Sequence, residues 1–308
     1  MTSLGHSLLR AALIVPALAL ALGCGDSSTR EMHAASLETV SPVTADEAAD
    51  PVLVGAGDIA SCRSSGDEAT SRLLDGIRGT IFTIGDNAYR SSDDDPMNCF
   101  SASWGRHLRR IRPVPGNHEY EDGFIDEYFD YFGAAAGERG KGYYSYNLGR
   151  WHIIALNSMI DAHWSGDQGE WLREDLARNR HGCTLAYFHH PRFTSGAREV
   201  VKQAEQLWWM LAEGGVDVVV NGHDHMYERF APLDKHGERD DEDGIRSFIV
   251  GTGGASRVRP RRRAPNSEVR NSDTFGVLRL TLKSGGYDWK FVPVRGATFT
   301  DSGSGSCH

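Results

Sequence analysis

Thr80-Ile81-Phe82-Thr83-Ile84-Gly85-Asp86-Asn87-Ala88-Tyr89 sets the pattern on which the rest of the chain is read: an apolar run, then glycine, carboxylate, amide and phenol. A run of four to eight residues rich in Val, Ile and aromatics and bounded by turn residues reads as a buried strand. The same grammar recurs. Residues 52–57 end at Gly57-Asp58, 184–188 at His189-His190-Pro191, and 216–220 just before Gly222-His223-Asp224-His225. A shorter run ending Pro113-Val114-Pro115 leads into Gly116-Asn117-His118-Glu119. Residues 151–157 and 248–250 read as further strands, and 276–282 with 287–292 as an antiparallel hairpin joined at Ser284-Gly285-Gly286. Amphipathic stretches at 67–77, 167–178 and 199–213 read as helices. Strands alternating with helices imply an α/β domain with its sheet covered by helices on the outer faces.

The 308-residue chain is 40% hydrophobic and 24% charged with seven Trp, which fits a packed domain and excludes a disordered or collagen-like one. With 42 acidic against 33 basic residues the formal net charge is −9, so no nucleic-acid scaffold is expected as a partner. Residues 1–23 read as an export signal: Arg10 flanks an apolar run over 11–22, too short to span a membrane and ending in Ala21-Leu22-Gly23-Cys24. The placement of Cys24 resembles the bacterial lipoprotein cleavage box, although Ala21 stands where that box prefers Leu. The expectation is a cell-envelope protein tethered to the membrane only through lipid on Cys24, or a secreted or periplasmic one if the cysteine is incidental. Residues 24–50, rich in Ser, Thr, Ala and acids, read as a flexible tether, and 51–308 as one catalytic domain. Four further cysteines in an oxidising compartment allow three pairings; Cys62 and Cys99, each in a loop just after a candidate metal motif, are the favoured pair.

Ligand sites in open α/β sheets gather at the carboxyl ends of strands. Five such ends here carry Asp, Asn and His behind glycines or tight turns, and carboxylate, amide oxygen and imidazole together suit Fe, Mn or Zn. Each piece alone reads equally as a turn or a core histidine; five in order do not. On these residues the chain resembles the calcineurin-like metallophosphoesterase superfamily, whose ordered pattern is Asp, Gly-Asp, Gly-Asn-His-Asp/Glu, His and Gly-His-x-His. Tyr89, three residues after Asp86, and Met226-Tyr227-Glu228-Arg229 after the last histidine are similar to its purple acid phosphatase branch. The resemblance covers roughly residues 52–254.

It implies a four-layer α/β/β/α sandwich of two mixed sheets and two metal ions. Asp58, Asp86, Tyr89 and His225 would hold one, expected as Fe(III). Asp86 would bridge to a divalent Zn, Mn or Fe held also by Asn117, His189 and His223. His189 is preferred to His190 because the family's ligand is followed by one residue and then Pro; His190 would support the ligands or face phosphate. The implied reaction is in-line attack of metal-bound hydroxide on the phosphate ester of a small substrate, acid-phosphatase-like, with diester or nucleotide hydrolysis as the alternative on the same site. A surface lipoprotein that binds metal or phosphate without turnover is the rival outside enzymology. If Asn117 is a ligand, its neighbour His118 diverges from it on an extended backbone, and would stabilise the phosphoryl group and protonate the leaving oxygen. No protein partner is expected.

Gly55-Ala56-Gly57-Asp58-Ile59-Ala60 matches G-x-G-x-x-A, but residues 61–66 delay the helix that a dinucleotide fingerprint requires. Gly251-Thr252-Gly253-Gly254 reads as a turn near the site. The run from Arg257 to Arg263 reads as a solvated loop or a device that steers anions.

Overall fold

The computed structural model describes residues 50–90, 95–260 and 262–308. The signal and lipid-anchor expectations, and all of the tether but Asp50, lie outside them. The chain opens with β1 (Val52–Ala56), a short β2 (Ala60–Ser61), α1 (Gly66–Gly76), β3 (Thr80–Ile84) and a short β4 (Ala88–Tyr89). After α2 (Met97–Ala102) and a 3-10 stretch (Trp104–Arg110) come β5 (Ile111–Val114), α3 (Asn117–Glu121) and α4 (Ile125–Phe132). Next are β6 (Tyr144–Leu148), β7 (Trp151–Ala155), α5 (Asp167–Arg178), β8 (Cys183–Tyr187), α6 (Lys202–Glu213) and β9 (Val218–Asn221). Strands β10 (Tyr227–Leu233), β11 (Ile245–Val250), β12 (Ser267–Asn271), β13 (Gly276–Lys283), β14 (Gly286–Pro293) and β15 (Ser302–Ser306) complete it.

These strands form two mixed sheets. One has the order β15-β14-β13-β1-β3-β5 and the other β12-β10-β11-β9-β8-β7-β6. Within the first, β1, β3 and β5 run parallel; within the second, β7, β8, β9 and β11 do. The period-two alternation of a strand explains why the central strands read as continuous apolar runs. Ile153, Leu185, Tyr187, Val218 and Val220 face the core between the sheets, while Ile154, Ala186, Phe188 and Val219 face the layer of α5 and α6. Leu172 of α5 and Leu207, Trp208 and Leu211 of α6 complete that outer layer, whereas neighbouring Trp209 stays exposed. The first sheet buries Leu74 of α1 together with Trp104. The four-layer α/β/β/α expectation is met.

Tertiary hydrogen bonds stitch the sheets: Tyr187 donates to the Arg112 carbonyl at 3.0 Å, and Trp151 Nε1 to the Lys283 carbonyl at 2.8 Å. Disulfides join Cys62 to Cys99 and Cys183 to Cys307. The expected pair forms, but Cys99 lies in α2 and not in a loop, inside a stretch that gave no helical signal. The G-x-G-x-x-A run ends in the short strand β2, and α1 starts only at Gly66, which removes the dinucleotide reading.

Candidate metal centre

Two sets of parallel strands from facing sheets end at one place. The turns after β1, β3 and β5 bring Asp58, Asp86 and Asn117; those after β8 and β9 bring His189, His223 and His225. Backbone bonds lock the turns to one another. Asp58 N–H donates to the Gly85 carbonyl at 3.1 Å, Gly57 N–H to Val250 at 2.9 Å, and Gly222 N–H to His189 at 2.9 Å. Two glycines make room: a Cβ at 116 would lie 2.3 Å from Asp86 Oδ1, and one at 222 would lie 2.9 Å from Asp58 Oδ2. Asp58, Asp86 and His223 have φ of 59°, 48° and 70°, a left-handed conformation that costs non-glycine residues energy and persists only where surrounding contacts hold it.

The side chains converge in two adjoining groups. In the first, Tyr89 Oη lies 3.1 Å from Asp58 Oδ1, 3.2 Å from Asp86 Oδ2 and 3.1 Å from His225 Nε2, and His225 Nε2 lies 3.2 Å from Asp58 Oδ1. In the second, Asn117 Oδ1 lies 3.1 Å from His189 Nε2 and 3.0 Å from His223 Nδ1, with those two nitrogens 3.2 Å apart. Asp86 Oδ2 belongs to both, since it also lies 3.3 Å from His189 Nε2. The outer atoms are tied down: His189 Nδ1 donates to the Ile84 carbonyl at 2.7 Å, leaving Nε2 to face the group, and His225 Nδ1 lies 2.5 Å from Ser256 Oγ.

This donor set fits cations. The Tyr89 hydroxyl stands within 3.2 Å of two carboxylate oxygens and one imidazole nitrogen, and its single proton cannot serve both carboxylates. Burial opposes a charged His189, yet the Asp86 carboxylate overrides it and carries the imidazole up to about 9. Burial, then Asp58 and Asp86, drives the Tyr89 phenol well above its ordinary value. The pocket therefore draws positive charge toward its two carboxylates, a demand that a metal ion answers while reversing the pressure on the phenol. Ligand-type atoms of Asp58, Asp86 and His225 lie within 4.8 Å of one another, as do those of His189, His190 and His223.

His118 stands beside this set. Its Nε2 is 4.0 Å from Asp86 Oδ2, its Nδ1 donates to Asp122 at 2.8 Å, and its side chain is 28% exposed. Asn117 and His118 open the helical turn of α3, so the extended backbone expected there is corrected; the two side chains separate along a helix instead. His190 is buried with Nδ1 2.9 Å from Ser158 Oγ and its ring 4.3 Å from that of His223. Burial and the charge on His189 hold it down to about 3, so it stays neutral.

Three supporting residues have no role in the sequence reading, although one of them, Glu119, closes the Gly-Asn-His-Glu motif. Glu119 is fully buried and accepts from the backbone N–H groups of Gly116 (2.7 Å), Asp86 (3.0 Å) and Asn87 (2.7 Å), which fixes both motif turns. Burial and the nearby Asp86 charge push its carboxyl up to about 7. A Glu three residues beyond the residue that opens a helix is a capping signal. Asp122, four residues after His118 and capping the end of α3, is legible once α3 is known. Ser256 reaches His225 only through the fold and left no local signal.

Two facing mixed sheets with a His/Asp/Asn set at their strand ends define the metallophosphoesterase class. Residues 50–227 match the calcineurin-like phosphoesterase family, and the chain belongs to that family. It is 28% identical to purple acid phosphatase 15 of Arabidopsis thaliana over 244 residues, 67% of this chain and 46% of that one. It is 28% identical to purple acid phosphatase 23 of the same plant over 246 residues, 67% of this chain and 53% of that one. The chain thus spans about half the length of these curated relatives. Its fold is that of purple acid phosphatase PPD1 from yellow lupin seeds, with TM-score 0.65 and 19% identity over 83% of this chain and 53% of that chain. GAP50, the anchor in the inner membrane complex of Plasmodium, shares the fold with TM-score 0.64 and 15% identity over 84% of this chain and 90% of that one.

Proposed function

We propose that the protein is an exported binuclear phosphoesterase of the purple acid phosphatase type that hydrolyses small phosphate esters. The observation that carries this reading is the sharing of Asp86 Oδ2 between two converging donor groups, 3.2 Å from Tyr89 Oη and 3.3 Å from His189 Nε2. Asp58, Asp86, Tyr89 and His225 would hold Fe(III), for which a phenolate is a hard, suitable ligand; Asp86, Asn117, His189 and His223 would hold divalent Zn, Mn or Fe. Metal ions in such a pair supply Lewis-acid charge and make water a competent nucleophile near neutrality. The chain's own contribution beyond the ligands comes from His118. Asp122 accepts the Nδ1 proton, which leaves Nε2 as the nitrogen on the side of the site; with the ring carrying its second proton, Nε2–H would give that proton to the departing ester oxygen. His190, buried and neutral, keeps the rings of His189 and His223 in place through packing and its bond to Ser158. Two disulfides among the described residues favour an oxidising compartment, in line with an export signal and a lipid on Cys24.

The test is metal content, visible spectrum and hydrolysis of an aryl phosphate and its bis-ester, on protein purified without chelator. Two metals per chain, a visible band lost in Tyr89→Phe, and faster release from the monoester are expected. Preference for the bis-ester makes the protein a phosphodiesterase on the same site. A fully metallated chain inert toward both esters overturns the hydrolase reading in favour of a binding protein.

A further inference from the structure

The arginine-rich run after β11 divides into two parts. Arg263 donates to the backbone carbonyls of Ser267 and Glu268 and braces the entry to β12. Arg257 and Arg259 are exposed and, with Arg63 from the other side, line a polar cavity of about 490 Å³. Its walls are held in place. Arg63 follows the disulfide-bonded Cys62, and Ser64 donates to the Gly254 carbonyl at 2.7 Å. The Arg257 guanidinium sits 5.0 Å over the Phe275 ring and donates to the Asp273 carbonyl oxygen at 2.5 Å.

The cavity is linked to the metal centre through one of its lining residues. Ser256 lines it and lies 2.5 Å from His225 Nδ1, whose opposite nitrogen faces Asp58 and Tyr89. Ala255 N–H donates to the Asp58 carbonyl and Val258 N–H to the His225 carbonyl, so the loop that carries both arginines is pinned to two members of the site. The His225 ring stands between the metal centre and the loop that carries Arg257 and Arg259, and among the described residues the lining of the cavity includes one carboxylate, Asp273. Guanidinium groups match phosphoryl oxygens in a bidentate geometry that a lysine does not reproduce.

We propose that this cavity is an annex to the active site that binds a second phosphoryl group of the substrate, so that the preferred substrates are small esters carrying two phosphates. The annex rests on the hydrolase reading for its purpose but not for its detection. A substrate presenting one phosphoryl group to the metal ligands places the other beside Arg257 and Arg259. A monophosphate leaves the annex empty and forfeits its contribution.

The test compares fructose 1,6-bisphosphate with fructose 6-phosphate on the metal-loaded wild type and on an Arg257→Gln/Arg259→Gln variant; Arg262→Gln is the control in the same run. The double variant is expected to raise KM for the bisphosphate about tenfold with kcat kept, and to leave the monophosphate unchanged. The thermal upshift given by each sugar phosphate is measured in parallel, since it needs no turnover. In the wild type the bisphosphate raises Tm more than the monophosphate, and in the double variant the two coincide. Turnover of both esters with the same KM ratio in wild type and variant overturns the annex and leaves the hydrolase standing. No turnover, with an upshift that depends on Arg257 and Arg259, overturns the hydrolase and leaves the annex standing.

Discussion

At the amino ends of β8 and β9, Cys183 is joined to Cys307, and the Asp217 carboxylate accepts N–H groups from Thr184 at 2.7 Å and His308 at 2.9 Å. Nearby, His152 has a partner for each nitrogen, Asp175 at 2.6 Å and Asn147 at 2.9 Å. At the carboxyl ends of the same strands, His189 and His223 turn nitrogens toward each other and toward one amide oxygen. The two ends are built from the same residue types. At the closed end donors and acceptors are matched and the polar groups serve the fold. At the open end two buried carboxylates, an amide oxygen and several imidazoles crowd together, and the carboxylates are balanced only by positive charge, drawn onto His189 or supplied by a cation. Cys183, Asp217 and Cys307 also bring ligand-type atoms within 4.8 Å of one another, but both sulfurs are consumed in the disulfide.

The largest effect tests the open end. Asp86→Ala removes the one oxygen that both donor groups share, and metal content is expected to fall along with aryl phosphatase activity. The loss should exceed the roughly 10–100-fold that supporting partners of metal ligands are worth. Both are read by elemental analysis and initial rates on the same preparation; a variant that keeps two metals and its rate would erase the distinction between the ends. The closed end should respond in the opposite currency. A Cys183→Ala/Cys307→Ala variant opens a loop of sequence separation 124 and is expected to lose about 2–5 kcal/mol of unfolding free energy in urea, with KM unchanged.

A third change sharpens the border between the two kinds of polar group. Asp122 has an ordinary structural geometry, a carboxylate four residues after His118 at the residue that ends α3, yet its partner faces the site. Asp122→Asn is expected to lower kcat about tenfold while leaving metal content and unfolding midpoint alone. If stability falls and kcat does not, the pair belongs with His152 and Asp175.

The comparison also explains what was legible in the sequence. Strands β1, β3, β8 and β9 are buried on both faces, which forces continuous apolar runs, and the residues after them were readable because a strand end is a marked position. Strand β10 was missed because its burial includes Glu228, whose carboxylate is matched by Ser195 and Ser267 from distant segments. Strand β15, Ser-Gly-Ser-Gly-Ser, has no strand propensity of its own. It forms by pairing with β14 while Gly303 and Gly305 lie against the rings of Trp289 and Tyr287, where a Cβ would come within 2.3 and 2.5 Å. Of the closed end, the disulfide was legible only as the pair left over once Cys62 joins Cys99, and the matched polar partners, distant from one another in the chain, left no local signal.

The smallest effect concerns Asp217 and the pH dependence of that closed end. Burial raises its carboxyl above the ordinary range, and the N–H groups of Thr184 and His308 recover only part of the cost. The folded state therefore holds this proton more tightly than the unfolded state, whose carboxyl titrates near 3.9. Between that value and the raised folded one, the native form binds more protons than the unfolded form, so stability contributed by Asp217 is complete below about pH 3.9 and is lost as pH rises through the folded value. Urea unfolding of chelated wild type and Asp217→Asn across this window isolates the term, because the other carboxylates cancel in the difference. The wild type is expected to lose ground to the variant as pH rises. Parallel profiles would mean that Asp217 ionises as readily in the fold as out of it, and that the two backbone N–H groups alone offset its burial. The closed end would then be matched in charge as well as in hydrogen bonds, and the contrast with the open end would widen.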